Sequence, residues 1–202
     1  MAGELEPVLT LTLSDTCQWH RFEQVLTEFE QRYRELALES IIAEHADRVT
    51  MVQQGRAQLG LVSAHADYPP DTGFETLADP AEPGLPIGRH HRLATMAHVT
   101  MEMRRDARAL RISTCADADA GLERRRGPCW LASSPLVLLG MTGPGLDEAE
   151  LPRWLAQRFA LDGLLELRVH GWPKTVQVDT VRWPRHGLGQ AGCWLLDTLL
   201  VP

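Results

Sequence analysis

The sequence predicts an α/β protein in which two Rossmann-like lobes of alternating strands and helices share one chain of 202 residues through a double crossing. Three observations predict it. Segments of period two alternate with apolar stripes of period 3.6, which makes sheets covered by helices the expected layering. The pattern runs once before a proline-rich stretch and begins again after it. A last strand and helix then close the chain, placed to lead back to the first lobe.

Val8 to Ser14 reads as a strand, with Leu9, Leu11 and Leu13 on one face and threonines on the other. From Cys17, Phe22, Val25, Leu26, Phe29, Tyr33 and Leu36 recur at steps of three and four, the stripe of an amphipathic helix with Ser14, Asp15 or Thr16 as its cap. Leu38 to Ala43 is a second strand, Asp47 to Gln54 a short helix stopped by Gly55, and Leu59 to Val62 a third strand. Pro69, Pro70, Pro80, Pro83 and Pro86 break regularity and place a lobe boundary near residues 80 to 86. Beyond it, Val99 to Ala109 reads as helix and Leu110 to Ser113 as strand. Cys129 to Ala132 is a strand running through Ser133 and Ser134 into a helix, Pro135 to Met141, with proline at its favoured first position. The helix Arg153 to Leu161, the strand Leu164 to Val169, the returning strand Val176 to Trp183 and the helix Ala191 to Leu200 complete the chain, with Trp194, Leu195 and Leu199 inward.

Composition narrows the function. A formal net charge of −7 opposes phosphate backbones, and the densest basic run, Arg124-Arg125-Arg126, is too short for a recognition helix and reads as a solvated turn. Direct nucleic-acid binding is not expected. No stretch reaches the roughly 20 apolar residues of a membrane span, and the start has no export signal, so a cytoplasmic protein is expected. Cys17, Cys115, Cys129 and Cys193 lack any CxxC pair, and the histidines lack metal-ligand spacing, so reduced thiols and no metal are expected. No nucleophile elbow, phosphate loop or dinucleotide fingerprint occurs; Glu148 with Glu150, or Asp15 with His20, can be imagined as acid/base pairs, but two acids near a turn read as solvated. No enzyme and no cofactor is predicted.

Four segments carry a resemblance to a known family. These are the opening strand, turn and helix with Phe29-Glu30-Gln31-Arg32-Tyr33; the turn Gln54-Gly55-Arg56-Ala57-Gln58 into Leu59-Gly60-Leu61-Val62; His91-Arg92-Leu93-Ala94; and Gly145-Leu146 followed by Leu151-Pro152. In order and spacing, together with Trp194-Leu195-Leu196, they resemble the effector-binding domain of LysR-type transcriptional regulators. The sequence departs from that pattern at Gln58, where the family usually has Asp, at Arg92, where it has Pro, and at Asp147-Glu148, where a small and an apolar residue stand. The resemblance implies a type 2 periplasmic-binding-protein fold, with lobes of residues 1–83 plus 180–202 and 84–179. It also implies a homodimer or homotetramer, and a winged helix-turn-helix outside this chain through which alone DNA would be bound.

The resemblance and the strand ends together place an effector. In parallel α/β lobes, ligands bind beyond the carboxyl ends of strands, where helix starts present N–H groups. The expected contacts are Ser14, Thr16, His45 and His65 in the first lobe and Ser113, Thr114, Ser133 and Ser134 in the second, facing across an interlobe cleft; Thr16 and His45 fall where the family places effector contacts. Small hydroxyls beside helix starts suit an anion such as a carboxylate, whereas each alone is equally a helix cap. Cys115, with Cys129 as partner, gives a redox-sensing alternative, since peroxide-sensing relatives use a cysteine in that lobe. A transporter's solute-binding protein would share the fold.

Overall fold

The structure, a computed structural model, describes residues 6–14, 20–43, 45–112, 127–143, 145–159, 163–183 and 187–201. The chain divides into two compact units, Met1–Ala81 with Val176–Pro202, and Glu82–Thr175.

The first unit is a five-stranded sheet, in the order β2-β1-β3-β12-β4, formed by β1 (Val8–Leu13), β2 (Ala37–Ile42), β3 (Leu59–Ser63), β4 (Gly73–Thr76) and β12 (Val178–Arg182). β1 runs parallel to β2 from Val8 opposite Ala37 to Leu13 opposite Ile42, and parallel to β3 at Leu11–Leu59 and Thr12–Gly60. The later-arriving β12 is antiparallel to both β3 and β4, so the sheet is mixed.

The alternation of β1 decides what covers each face. Leu9, Leu11 and Leu13 turn to one side with Leu59, Leu61 and Val178, and α1 (His20–Arg32) lays Phe22, Val25 and Phe29 on them. α6 (Gln190–Leu200) packs beside it through Leu195, Leu196 and Leu199, while half-buried Trp194 meets the rings of Phe29 and Tyr33 at 6.0 and 5.8 Å. Burying each such leucine contributes about 2 kcal/mol. On the other face α2 (His45–Gln53) sets Val49 and Val52 against Val62 and Val181. Gly60 is required there, because a Cβ would stand 2.7 Å from Val181 Cγ2. Helix α1 stops at Arg32, short of Leu36, because residues Tyr33 to Leu36 turn back to start β2.

The start of α6 is closed from the other end of the unit. Glu6, just before β1, accepts hydrogen bonds from Ala191 N (3.1 Å) and Gly192 N (2.9 Å). A Cβ on the N-cap residue Gly189 would meet the Glu6 side chain at 2.3 Å, so the glycine makes room for the carboxylate.

The second unit holds a parallel three-stranded sheet, β8 (Cys129–Ala132), β7 (Ala109–Ile112) and β9 (Glu148–Ala149), in the order β8-β7-β9. Two antiparallel pairs adjoin it: β5 (Pro83–Gly84) with β10 (Leu151–Pro152), and β6 (Pro86–Gly88) with β11 (Leu164–Glu166). Its helices are α3 (Met101–Asp106), α4 (Pro135–Thr142) and α5 (Arg153–Phe159). α3 is shorter than the Val99 to Ala109 pattern suggests: Thr100 caps it by accepting from Met103 N at 3.2 Å, and Ala107 already has extended backbone so that β7 can begin at Ala109. The proline-rich stretch also departs from expectation, since it supplies β5 and β6. Each pairs with one partner only, which is where a strand tolerates proline.

Candidate functional site

In the first unit, β2, β1 and β3 lie side by side and parallel, so their carboxyl ends share one sheet edge. Three expected effector residues follow those ends: Ser14 directly after β1, His45 as the first residue of α2, and His65 two residues beyond β3. Ser14 is half-buried and His65 exposed, its backbone N–H donating to the Tyr68 hydroxyl at 3.2 Å. Thr16 lies outside the described residues.

The same edge holds polar side chains that periodicity did not single out. Arg48, in the first turn of α2, is 5% exposed and donates from Nη1 to the Leu61 carbonyl at 2.7 Å, while its buried Nε has no hydrogen-bond partner. Among the described residues no carboxylate lies within ion-pair distance of it. A buried guanidinium without a carboxylate is costly, and anions are drawn to it. Nearby, the buried Asp179 of β12 accepts from the Tyr68 hydroxyl and from Thr76 Oγ1, each at 2.7 Å. Burial first, and then the bond to Asp179, push the Tyr68 phenol well above its ordinary range, so it remains a donor that pins the loop after β3 to the sheet. The signal for this group was an acid at an inward position of the alternating β12.

In the second unit the carboxyl ends of β8 and β7 lead to the other expected contacts. Ser113, Thr114 and Cys115 follow β7 and lie outside the described residues. After β8, Ser133 is exposed and Ser134 is the N-cap of α4, with φ −123° and ψ 131°. Its side chain makes no capping hydrogen bond, so its hydroxyl is not spent on the helix start.

Asp147 and Glu148 stand elsewhere. Glu148 is opposite Ala109, the first residue of β7, which puts both acids at the amino ends of the sheet and Ser133 at its carboxyl end. The expectation that Glu148 is solvated is wrong: it is 2% exposed and clamped by Arg104. Asp147 is equally buried, 3.0 Å from His91 Nε2 and 3.9 Å from Arg108 Nε. Burial raises its carboxyl above the ordinary value, against the lowering pull of His91 and Arg108. Glu150 is exposed and paired with Lys174 Nζ at 3.0 Å. At Asp147 and Glu148 the departure from the family pattern therefore builds structural ion pairs. At a third departure, Gln58 Oε1 accepts from Thr10 N at 2.7 Å and ties the glycine turn to β1.

Residues 2–200 match the model of the LysR substrate binding domain. The chain belongs to that family. Its solved relatives include the cofactor-binding domain of the Cbl transcriptional regulator (16% identical, TM-score 0.79, covering 98% of this chain and 90% of that one). The regulatory domain of Synechocystis PCC6803 CcmR in complex with 2-PG is 17% identical, with a TM-score of 0.77 over 96% of this chain and 95% of the other. The BenM effector binding domain with its effector benzoate is 12% identical, with a TM-score of 0.75 over 97% and 91%. No curated protein sequence matches the chain. This LysR substrate-binding domain has the type 2 periplasmic-binding-protein fold, and its strand ends carry the hydroxyls and the buried arginine described above. Among the described residues, no helix is long and apolar enough to cross a membrane, and no three His, Cys, Asp or Glu side chains gather into a metal site.

Proposed function

We propose that this LysR substrate-binding domain senses a small organic anion, recognised by the loops at the carboxyl ends of its strands, and that the response controls DNA binding by a winged helix outside this chain. The contacts are Ser14, Thr16, His45 and His65 from one unit and Ser113, Thr114, Ser133 and Ser134 from the other, with Arg48 supplying positive charge behind the first set. Arg48 is the observation that carries the anion: a guanidinium at the start of α2, buried with no carboxylate within ion-pair distance among the described residues, favours a negative charge at that edge. The idle Ser134 hydroxyl supports the same reading, as does benzoate, a carboxylate, in BenM.

The role is binding without turnover, in a cytoplasmic protein that pairs with a second copy of itself. α4 favours such pairing, since it is apolar all round: Leu138 and Leu139 are buried, while Leu136 and Val137 are exposed.

Thermal denaturation with a panel of small carboxylates and their uncharged amides tests the ligand class. A carboxylate at a hundredfold excess over its dissociation constant adds about 2.7 kcal/mol of stability, and its amide adds little. Amides that stabilise as well as their acids would remove the anion from this proposal.

A further inference from the structure

The second unit contains a cavity of about 910 Å3 between the turns at 93–99 and the segment 165–173. None of its described lining residues stands at the carboxyl end of β7 or β8, so it is separate from the candidate effector loops. The size falls within the roughly 300–1,000 Å3 range of small-ligand pockets.

Apolar and charged side chains share its lining. Leu93, Val99, Leu167 and Val169 close it from beneath as part of the buried core, and Met96, Leu165 and half-buried Trp172 give it accessible apolar surface. Arg168 and His170 line it from exposed positions, and no hydrogen bond or ion pair engages Arg168 among the described residues. Glu166 is the sole acid among the described lining residues, and it is already held by Arg153 Nε at 3.1 Å; Glu82 holds the same arginine at 3.2 Å. With Arg153 offset by these two acids, Arg168 carries the uncompensated charge among the described lining residues.

The walls are set before anything binds. Val99 and Val169 form a bridge between the two segments, and Trp172 N donates to Val169 O at 3.1 Å. The Trp172 ring lies 5.0 Å from the Arg104 guanidinium and 4.4 Å from Lys174 Nζ, and Arg104 is itself clamped by Glu148. A rigid wall lowers the ordering cost of binding.

We propose that this cavity is a second ligand site, for a small organic anion whose apolar body lies against Met96, Leu165 and Trp172 and whose charged head meets Arg168 and the His170 imidazole. It does not depend on the effector proposal, because it uses other residues. The test follows the indole N–H resonances of the whole 202-residue chain, with the Trp172 signal assigned through Trp172→Phe, during titration with anilinonaphthalene sulfonate. The expected result is a saturable shift of the Trp172 signal. Uncharged phenylnaphthylamine and inorganic sulfate, each lacking one half of the ligand, bind about tenfold or more weaker, as does the sulfonate to Arg168→Glu, while Arg168→Lys keeps most of the affinity. Arg168 is exposed, so the variants keep the fold, which an unchanged melting temperature checks. A Trp172 signal that stays still while the sulfonate binds elsewhere overturns the site. Equal affinity for the uncharged probe, or for Arg168→Glu, overturns its selectivity for anions.

Discussion

The Glu148 carboxylate receives two parallel hydrogen bonds from the Arg104 guanidinium, Nε to Oε1 at 3.1 Å and Nη2 to Oε2 at 2.9 Å, with both residues more than nine-tenths buried. Removing one member strands a buried charge, so Glu148→Leu alone is expected to cost about 3–5 kcal/mol in urea denaturation. Arg104→Met added to it should recover most of that loss, since two apolar chains replace two ions. Additive losses in the double variant would mean that the pair is not a coupled unit.

Two acids give opposite slopes of stability against pH. Hydrogen bonding to Arg56, then to Thr10, holds the Glu39 carboxyl at about 2, below its ordinary 4.5. Its contribution is therefore present above pH 4.5 and is lost as pH falls towards 2. Burial raises Asp147 above 3.8, so the folded state keeps a proton that the unfolded chain releases, and stability is lost as pH rises from that value through the raised one. Urea midpoints should show a weaker loss in Glu39→Gln as pH falls from 4.5 towards 2, and a smaller decline in Asp147→Asn as pH rises above 3.8. Identical slopes in wild type and variants would show that neither acid controls the window.

Much of the first unit was legible because local pattern and tertiary position agree. The leucines and threonines of β1 alternate, and the structure puts them on opposite faces. What was not legible depends on distant partners. The four-residue β4 exists because β12, a hundred residues later, pairs with it, and β5, β6 and β9 are shorter still. Glu148 looked like a turn acid because Arg104 is 44 positions away in sequence. At the candidate site, hydroxyls and histidines after strand ends could be read from topology. Arg48 could not, since a basic residue one turn into a helix ordinarily faces water.

Glu6 links the two termini of the first unit. By accepting from the Ala191 and Gly192 amides it satisfies two of the orphan donors at the start of α6. Glu6→Ala should lower stability by about 1–2 kcal/mol, read in chemical denaturation. Glu6→Gln keeps an acceptor but loses the charge, and should fall between. A variant as stable as wild type would make this contact ornamental.

Self-association should depend on the outward side of α4. Leu136 is 54% exposed and Val137 49%, so replacing both by Glu leaves the core intact and puts two charges on the patch. Sedimentation at tens of micromolar is expected to give a dimer for the wild type and a monomer for Leu136→Glu/Val137→Glu, with similar melting of the monomeric unit. A variant that stays dimeric places the interface elsewhere.

Ser134 separates ligand recognition from helix capping. It occupies the N-cap of α4, a position where a serine hydroxyl ordinarily accepts from the second or third helical amide and where its loss costs about 1 kcal/mol. Here no such bond is made, and Pro135 at the first helical position has no N–H to satisfy. Ser134→Ala should therefore leave the unfolding free energy within a few tenths of a kcal/mol of wild type, as surface substitutions generally do. If the hydroxyl donates to an anionic effector, the same substitution weakens binding by about tenfold or more, because a hydrogen bond to a charged group contributes roughly 1.5–3 kcal/mol. Ser133→Ala, one residue earlier and exposed, tests whether the neighbouring hydroxyl shares the load. Isothermal titration with a carboxylate found in the thermal panel, beside urea denaturation of each variant, reads both quantities. Lost stability with unchanged affinity would return Ser134 to capping and remove it from the site.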